Sequence, residues 1–129
     1  MPKEDKSMSN EKNVKVLILG SGPAGLAAAL YAARAELEPI VLTGMQLGGQ
    51  AALTHTIENY PGFPEGVGGA QLGELFQKQA EHFGAKVEFD LANEVDLSQR
   101  PFLVKTDSGE YKAETLILTT GANPLHLEI

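Results

Sequence analysis

The stretch Gly20-Ser21-Gly22-Pro23-Ala24-Gly25 follows an apolar run, Val14-Lys15-Val16-Leu17-Ile18-Leu19, and leads directly into Leu26-Ala27-Ala28-Ala29-Leu30. Strand, glycine turn and helix in immediate succession are the setting in which a G-x-G-x-x-G motif binds a dinucleotide. Each glycine has a physical task there. Gly20 lets the chain leave the strand tightly, Gly22 lets a pyrophosphate approach the backbone without meeting a Cβ, and Gly25 lets the helix lie close on the sheet. Pro23 suits the first helical turn, where a missing N–H costs nothing. The free N–H groups of that turn and the positive end of the helix dipole then face the phosphates. The same residues would also serve as a tight turn without a ligand, so the motif alone leaves both readings open.

The chain has 129 residues, 43% of them hydrophobic, which suits one domain with one core. Met1 to Asn13 is polar, with three lysines balancing three acids, and reads as a flexible tail preceding a domain over residues 14–129. The net charge of −7 therefore falls on that domain. It argues against nucleic acid as a partner, because phosphate backbones are held by clustered Lys and Arg. Between Val14 and Gln77 the only cations are Lys15 and Arg34, so a diphosphate bound here would be held by backbone N–H groups. No run is apolar enough to span a bilayer, and no signal peptide is visible. The absence of cysteine fits a cytoplasmic location and leaves no thiol to carry redox equivalents. His55, His82 and His126 lack ligand-like spacing, so no metal site is expected.

In chain order, Val14–Leu19 reads as a central parallel strand, Pro23–Ala35 as an alanine-rich helix that can settle closely on a sheet, and Ile40–Thr43 as a second strand. The resulting β-α-β unit has the length of a mononucleotide-binding half. Where the general pattern places an Asp or Glu for the ribose hydroxyls, this chain has Thr43-Gly44, a weaker partner. From Gly44 to Gly69 no period persists, yet Leu53, Ile57, Tyr60 and Phe63 among the breakers favour an ordered loop, pressed either on the body or on a ligand. Ala70–Phe83 is amphipathic, with Leu72, Leu75, Phe76, Ala80 and Phe83 on one face and Gly84 as its stop. Lys86–Phe89 follows as a strand. Asn93–Leu97, Pro101–Thr106 and Glu110–Ala113 suggest a three-stranded antiparallel meander, and Thr115–Gly121 a last buried strand. The predicted fold is α/β and Rossmann-like, with a parallel sheet and an inserted meander.

These elements resemble the N-terminal, FAD-binding part of the low-molecular-weight bacterial thioredoxin reductases, within the pyridine nucleotide-disulphide oxidoreductases. The resemblance rests on Leu17 to Leu26, Leu30 to Ala35, Thr43-Gly44-Met45, Gly48-Gly49-Gln50 and Glu58-Asn59-Tyr60-Pro61-Gly62-Phe63-Pro64. Arg100-Pro101-Phe102, Gly109-Glu110-Tyr111 and Thr120-Gly121-Ala122 extend it. It implies FAD as the cofactor. Gly20, Ser21, Gly22, Pro23 and Ala24 would hold the pyrophosphate, and Gly25 would seat the helix. Thr43 and Gly44 would lie near the adenosine ribose, and the backbone near Leu91 and Ala92 would meet the adenine. Gly49 and Gln50 would line the flavin, Asn59 would hydrogen-bond near the ring or ribityl chain, and Thr120-Gly121 would close over the cofactor. As ordinary loop residues, Gln50 and Asn59 could equally cap backbone groups.

The resemblance further implies a whole enzyme in which NADPH reduces FAD, FAD reduces a Cys-x-x-Cys pair, and that pair reduces thioredoxin or a similar disulphide protein. Such an enzyme would be a homodimer. Its NADPH site and dithiol would lie in a domain inserted after a stretch like Thr119 to Asn123, which is expected to be absent from this chain, as are the closing strand and helix beside the flavin. The chain itself is then expected to supply no catalytic side chain. The alternative is a short nucleotide-binding or interaction module derived from such a reductase.

Overall fold

The computed structural model describes residues 11–44 and 48–121, with the backbone but not the side chain of Gln50. Six strands form one sheet: β1 (Glu11–Leu19), β2 (Ile40–Leu42), β3 (Lys86–Glu88), β4 (Ala92–Asp96), β5 (Phe102–Thr106) and β6 (Glu110–Leu118). Their order is β3-β2-β1-β6-β5-β4, with β3, β2, β1 and β6 parallel and β6, β5 and β4 antiparallel. Two helices, α1 (Pro23–Arg34) and α2 (Gly69–His82), connect the parallel strands.

The alternation along β1 builds two core layers. Val16 and Ile18 meet Ala29 and Ala33 of α1 and Ala80 of α2 on the helical face. On the other face Leu17 and Leu19 pack with Leu42, Val104, Tyr111 and Ala113, so the antiparallel strands serve as that face's cover. Of the face expected for α2, Leu72 and Ala80 are buried, whereas Leu75 and Phe83 are more than two-fifths exposed. The Phe83 ring instead stacks against the Arg34 guanidinium, 5.6 Å from its centroid.

Both helices end alike. Leu37 N donates to Ala32 O and Glu36 N to Ala33 O, with Glu36 left-handed at φ 62°. Ala85 N donates to Ala80 O and Gly84 N to Glu81 O, with Gly84 at φ 112°. The second has the glycine such a cap favours, while the first forces a glutamate into the left-handed region.

Several boundaries differ from the sequence expectation, and the last strand ends at Leu118 rather than Gly121. The first strand begins at Glu11, three residues early, because Glu11, Lys12 and Asn13 pair with Glu110, Tyr111 and Lys112. Ion pairs Lys112–Glu11 at 3.2 Å and Lys12–Glu88 at 3.8 Å flank that extension. The expected third meander strand and last parallel strand are one continuous strand, β6, whose first half pairs with both β1 and β5. Glu114, which looked like a break, simply sits exposed in mid-strand. The Gly44–Gly69 connection is ordered where described, with a 3₁₀ turn at Gly49–Leu53 and a bridge between Ile57 and Val67. No helix among the described residues is long and apolar enough to cross a membrane.

Tyr111 is 2% exposed beneath this cover. Burial raises its phenol from 10.0 to about 12, and the carboxylates of Glu88 and Asp90 push the same way. The folded state thus favours the neutral phenol, so its contribution to stability is complete below pH 10 and is lost as pH rises toward 12. A phenolate absorbance titration should show one tyrosine ionising late, at about pH 12, and Tyr111→Phe should remove that phase. A full-amplitude titration centred near the ordinary tyrosine value would contradict the burial.

Candidate functional site

The glycine turn lies at the carboxyl edge of the parallel strands, where open α/β sheets place their ligands. Backbone bonds run along that edge from strand to strand. Thr119 N donates to Leu19 O, Gly20 N to Leu42 O, Thr43 N to Glu88 O and Gly44 N to Asp90 O. The ends of β6, β1, β2 and β3 are thereby fixed in a row.

Two glycines of the motif are dictated by the chain itself. Gly20 has φ +112°, and a Cβ there would overlap the Thr119 carbonyl; a Cβ on Gly25 would overlap the Gly20 carbonyl and come within 2.7 Å of Thr119 Oγ1. Gly22 is different. Its φ of −74° is open to any residue, and a Cβ would stand 3.6 Å from Gly49 Cα, an ordinary contact. Neither backbone conformation nor packing demands glycine at position 22.

Gly22 is also the N-cap of α1. No side chain caps this end, and no acidic residue occupies the first turn. The first intrahelical bond is Leu26 N to Gly22 O, at 3.0 Å, so the N–H groups of Ala24 and Gly25 face outward without a helical acceptor. Arg34 lies at the far end of α1, and Lys15, toward the other end of β1, is paired with Glu38 at 3.9 Å. An anion at the turn would therefore meet backbone dipoles rather than cationic side chains.

Most of the sequence-predicted residues converge here. Ser21 is buried, and its Oγ accepts the Gly48 N–H at 3.2 Å, tying the second glycine pair to the first. A Cβ on Gly49 would come within 2.9 Å of Gly22 Cα. Thr43 and Gly44 stand beside the turn at the end of β2, and Ala92 opens β4 two residues after Asp90, whose carbonyl accepts the Gly44 N–H. The Thr43 side chain is buried, however, and its hydroxyl donates to Gly44 O at 3.0 Å. Thr120 and Gly121 are exposed at the end of β6. Asn59 shares with Pro23 an open cleft of about 590 Å³ between the loop and α2. Gln50 lies in the 3₁₀ turn, its side chain outside the described residues, as are Met45 and Ala122.

Thr119 and Asp90 were missed by sequence reasoning. Thr119 Oγ1 donates to Leu19 O at 2.9 Å and Gly20 O at 3.3 Å, clasping the glycine turn. Only the register Leu19↔Leu118 reveals this, and no local spacing encodes it.

Residues 14–129 match the family model described as pyridine nucleotide-disulphide oxidoreductase. The thioredoxin reductase of Vibrio cholerae serotype O1 is 52% identical over 120 residues, covering 93% of this chain and 38% of that protein. That of Rickettsia bellii is 56% identical over 116 residues, covering 89% and 37%. Among solved structures, a thioredoxin reductase from Giardia duodenalis superposes with a TM-score of 0.84 at 36% identity, over 91% of this chain and 38% of that one. One from Gloeobacter violaceus gives 0.84 at 38% identity, over 91% and 39%. The chain thus spans between a third and two-fifths of the length of these relatives.

The two kinds of glycine should separate in a urea titration. Gly25→Ala is expected to lose about 1–3 kcal/mol from overlap, outweighing the roughly 1 kcal/mol that alanine gains in a helix. Gly22→Ala should lose less than about 1 kcal/mol, the difference between the two residues as an N-cap. Equal losses would refute the distinction.

Proposed function

The chain belongs to the pyridine nucleotide-disulphide oxidoreductase family, and from that premise we propose that it is the FAD-binding portion of an NADPH-dependent, thioredoxin reductase-like flavoprotein. The observation that carries this reading is Gly22: a glycine that folding does not require, at an uncapped helix N-terminus free of acids. A side chain there would fill the space a pyrophosphate needs. The cradle fits a diphosphate held by Gly20 to Ala24 without basic side chains.

Thr43, Gly44 and Ala92 then flank the adenosine end. Gly49, Gln50, Thr120 and Gly121 flank the path toward the flavin, and Asn59 offers an amide beside the cleft whose apolar wall includes Pro23, Ile57, Tyr60, Leu72 and Phe76. An apolar wall with one or two polar groups suits a planar ring system. When bound, FAD supplies a carrier able to take a hydride from NADPH and pass its electrons to a disulphide. With no cysteine, this chain cannot supply the dithiol. We assign that pair and the NADPH site to the part of the relatives' length that this chain does not span. The outer edge of β6 supports this assignment, since β5 pairs with it only as far as Ala113 and Leu118 is 60% exposed. We place the whole protein in the cytoplasm as a homodimer acting on thioredoxin or a similar disulphide protein.

Titrations with FAD, ADP and NADPH test this. ADP and FAD should bind weakly and with similar affinity, because among the described residues the cleft proposed for the flavin has one wall. Gly22→Ala should abolish both while leaving the melting transition in place. Unchanged binding in that variant would put the pyrophosphate elsewhere, and tight stoichiometric flavin with NADPH-driven disulphide reduction by the chain alone would overturn the division of labour.

A further inference from the structure

Asp90 follows β3 at the carboxyl edge, one strand beyond the end of β2. Its carbonyl accepts the Gly44 N–H at 2.8 Å. Its carboxylate accepts the Leu91 N–H at 2.9 Å through Oδ1 and the Ser108 hydroxyl at 2.5 Å through Oδ2. Three segments distant in sequence therefore meet at one residue: the end of β2, the link from β3 to β4, and the turn from β5 to β6. A second tie lies alongside, from Asn93 Nδ2 to Asp107 Oδ1 at 2.7 Å, at the irregularity in β4 pairing between Ala92 and Glu94. The turn is itself braced by Thr106 Oγ1, which accepts the N–H groups of Ser108 and Gly109.

In a β-α-β nucleotide site the ribose lies past the end of the second strand, where a carboxylate ordinarily receives its hydroxyls. Here that position is Thr43, whose hydroxyl is already donated to Gly44 O. The nearby carboxylate of Asp90 is engaged by two donors from its own chain, the Leu91 N–H and the Ser108 hydroxyl. We propose that Asp90 is a positioning residue that sets the adenosine end of the nucleotide site by holding Leu91 and Ala92 beside Thr43-Gly44. This rests on the nucleotide-site reading above. Partial burial disfavours the charged carboxylate, and the hydrogen bonds from Ser108, Thr106 and Leu91 outweigh it, keeping the group ionised below its ordinary range. That is the behaviour of a carboxylate committed to a fixed set of donors.

A ¹H–¹⁵N titration of the chain with ADP tests both levels. In the wild type, amides of Ser21 and Gly22 and those of Leu91 and Ala92 should shift together. In Asp90→Ala the glycine-turn shifts should persist at saturation while the Leu91 and Ala92 shifts vanish, with Kd raised about fivefold or more, the order expected from losing a charge-assisted bond. Asp90→Asn, which keeps an acceptor for Leu91 N–H, should recover part of both and serves if the alanine variant unfolds. Glycine-turn shifts without any at Leu91 and Ala92 in the wild type would overturn the positioning role alone, as would an aspartate variant that titrates like the wild type. No shift in either region would overturn the nucleotide site itself.

Discussion

The structure depends on one close approach, where the end of β1, the start of α1 and the end of β6 meet at Gly20, Gly25 and Thr119. No room remains for a Cβ at either glycine. Thr119 fills the junction with a hydroxyl that bonds two successive carbonyls as the chain leaves β1. The hydroxyl adds a second donor to Leu19 O, which already accepts the Thr119 N–H, and reaches Gly20 O, so the tight turn keeps its carbonyls paired. The start of the helix is thereby held against the end of β1, with its first N–H groups at the carboxyl edge of the sheet. Moving any of the three elements by the width of a methyl group would misdirect them.

That aim matters because the chain's net charge opposes an anion. A charge of −7 repels phosphate at long range, but beyond about 8 Å such repulsion is largely screened at physiological salt. At contact distance the local field decides, and here it comes from the first turn of α1, which holds no carboxylate. Keeping cations away has a further consequence. Backbone N–H groups cannot swing toward competing anions as lysines can, so the cradle is fixed before a ligand arrives.

Much of this was legible in sequence. The glycine spacing, the apolar run before it and the alanines after it located β1, the turn and α1 because each follows from local sterics and periodicity. Ser21 and Gly49 pack at the turn, and Asn59 lines the cleft beside it. What was not legible depends on register. Glu114 interrupts an apolar pattern, yet β6 runs through it, since a sheet tolerates one exposed charge when both flanking halves are paired. Glu11 to Asn13 carry no strand signal and become strand because Glu110 to Lys112 lie opposite. Thr43 looked like a ribose partner because its position is right, and only side-chain orientation reveals that its hydroxyl is turned back on Gly44.

The glycine turn and the cleft beside it are built in different ways. The glycine turn is framed by β1, α1, β2 and the residue that follows β6, and these are locked to one another by backbone bonds within the chain. The cleft beside it is built differently. Its wall, from Ala51 to Tyr60 and across to Phe76, rests on the long connection and one helix face. A polar diphosphate needs only a few rigid N–H groups, whereas a flat ring gains its affinity from being covered on both faces. The two halves of an FAD bound as proposed would therefore place unequal demands on the chain, and the fixed N–H groups of the glycine turn meet the one that short-range geometry can satisfy.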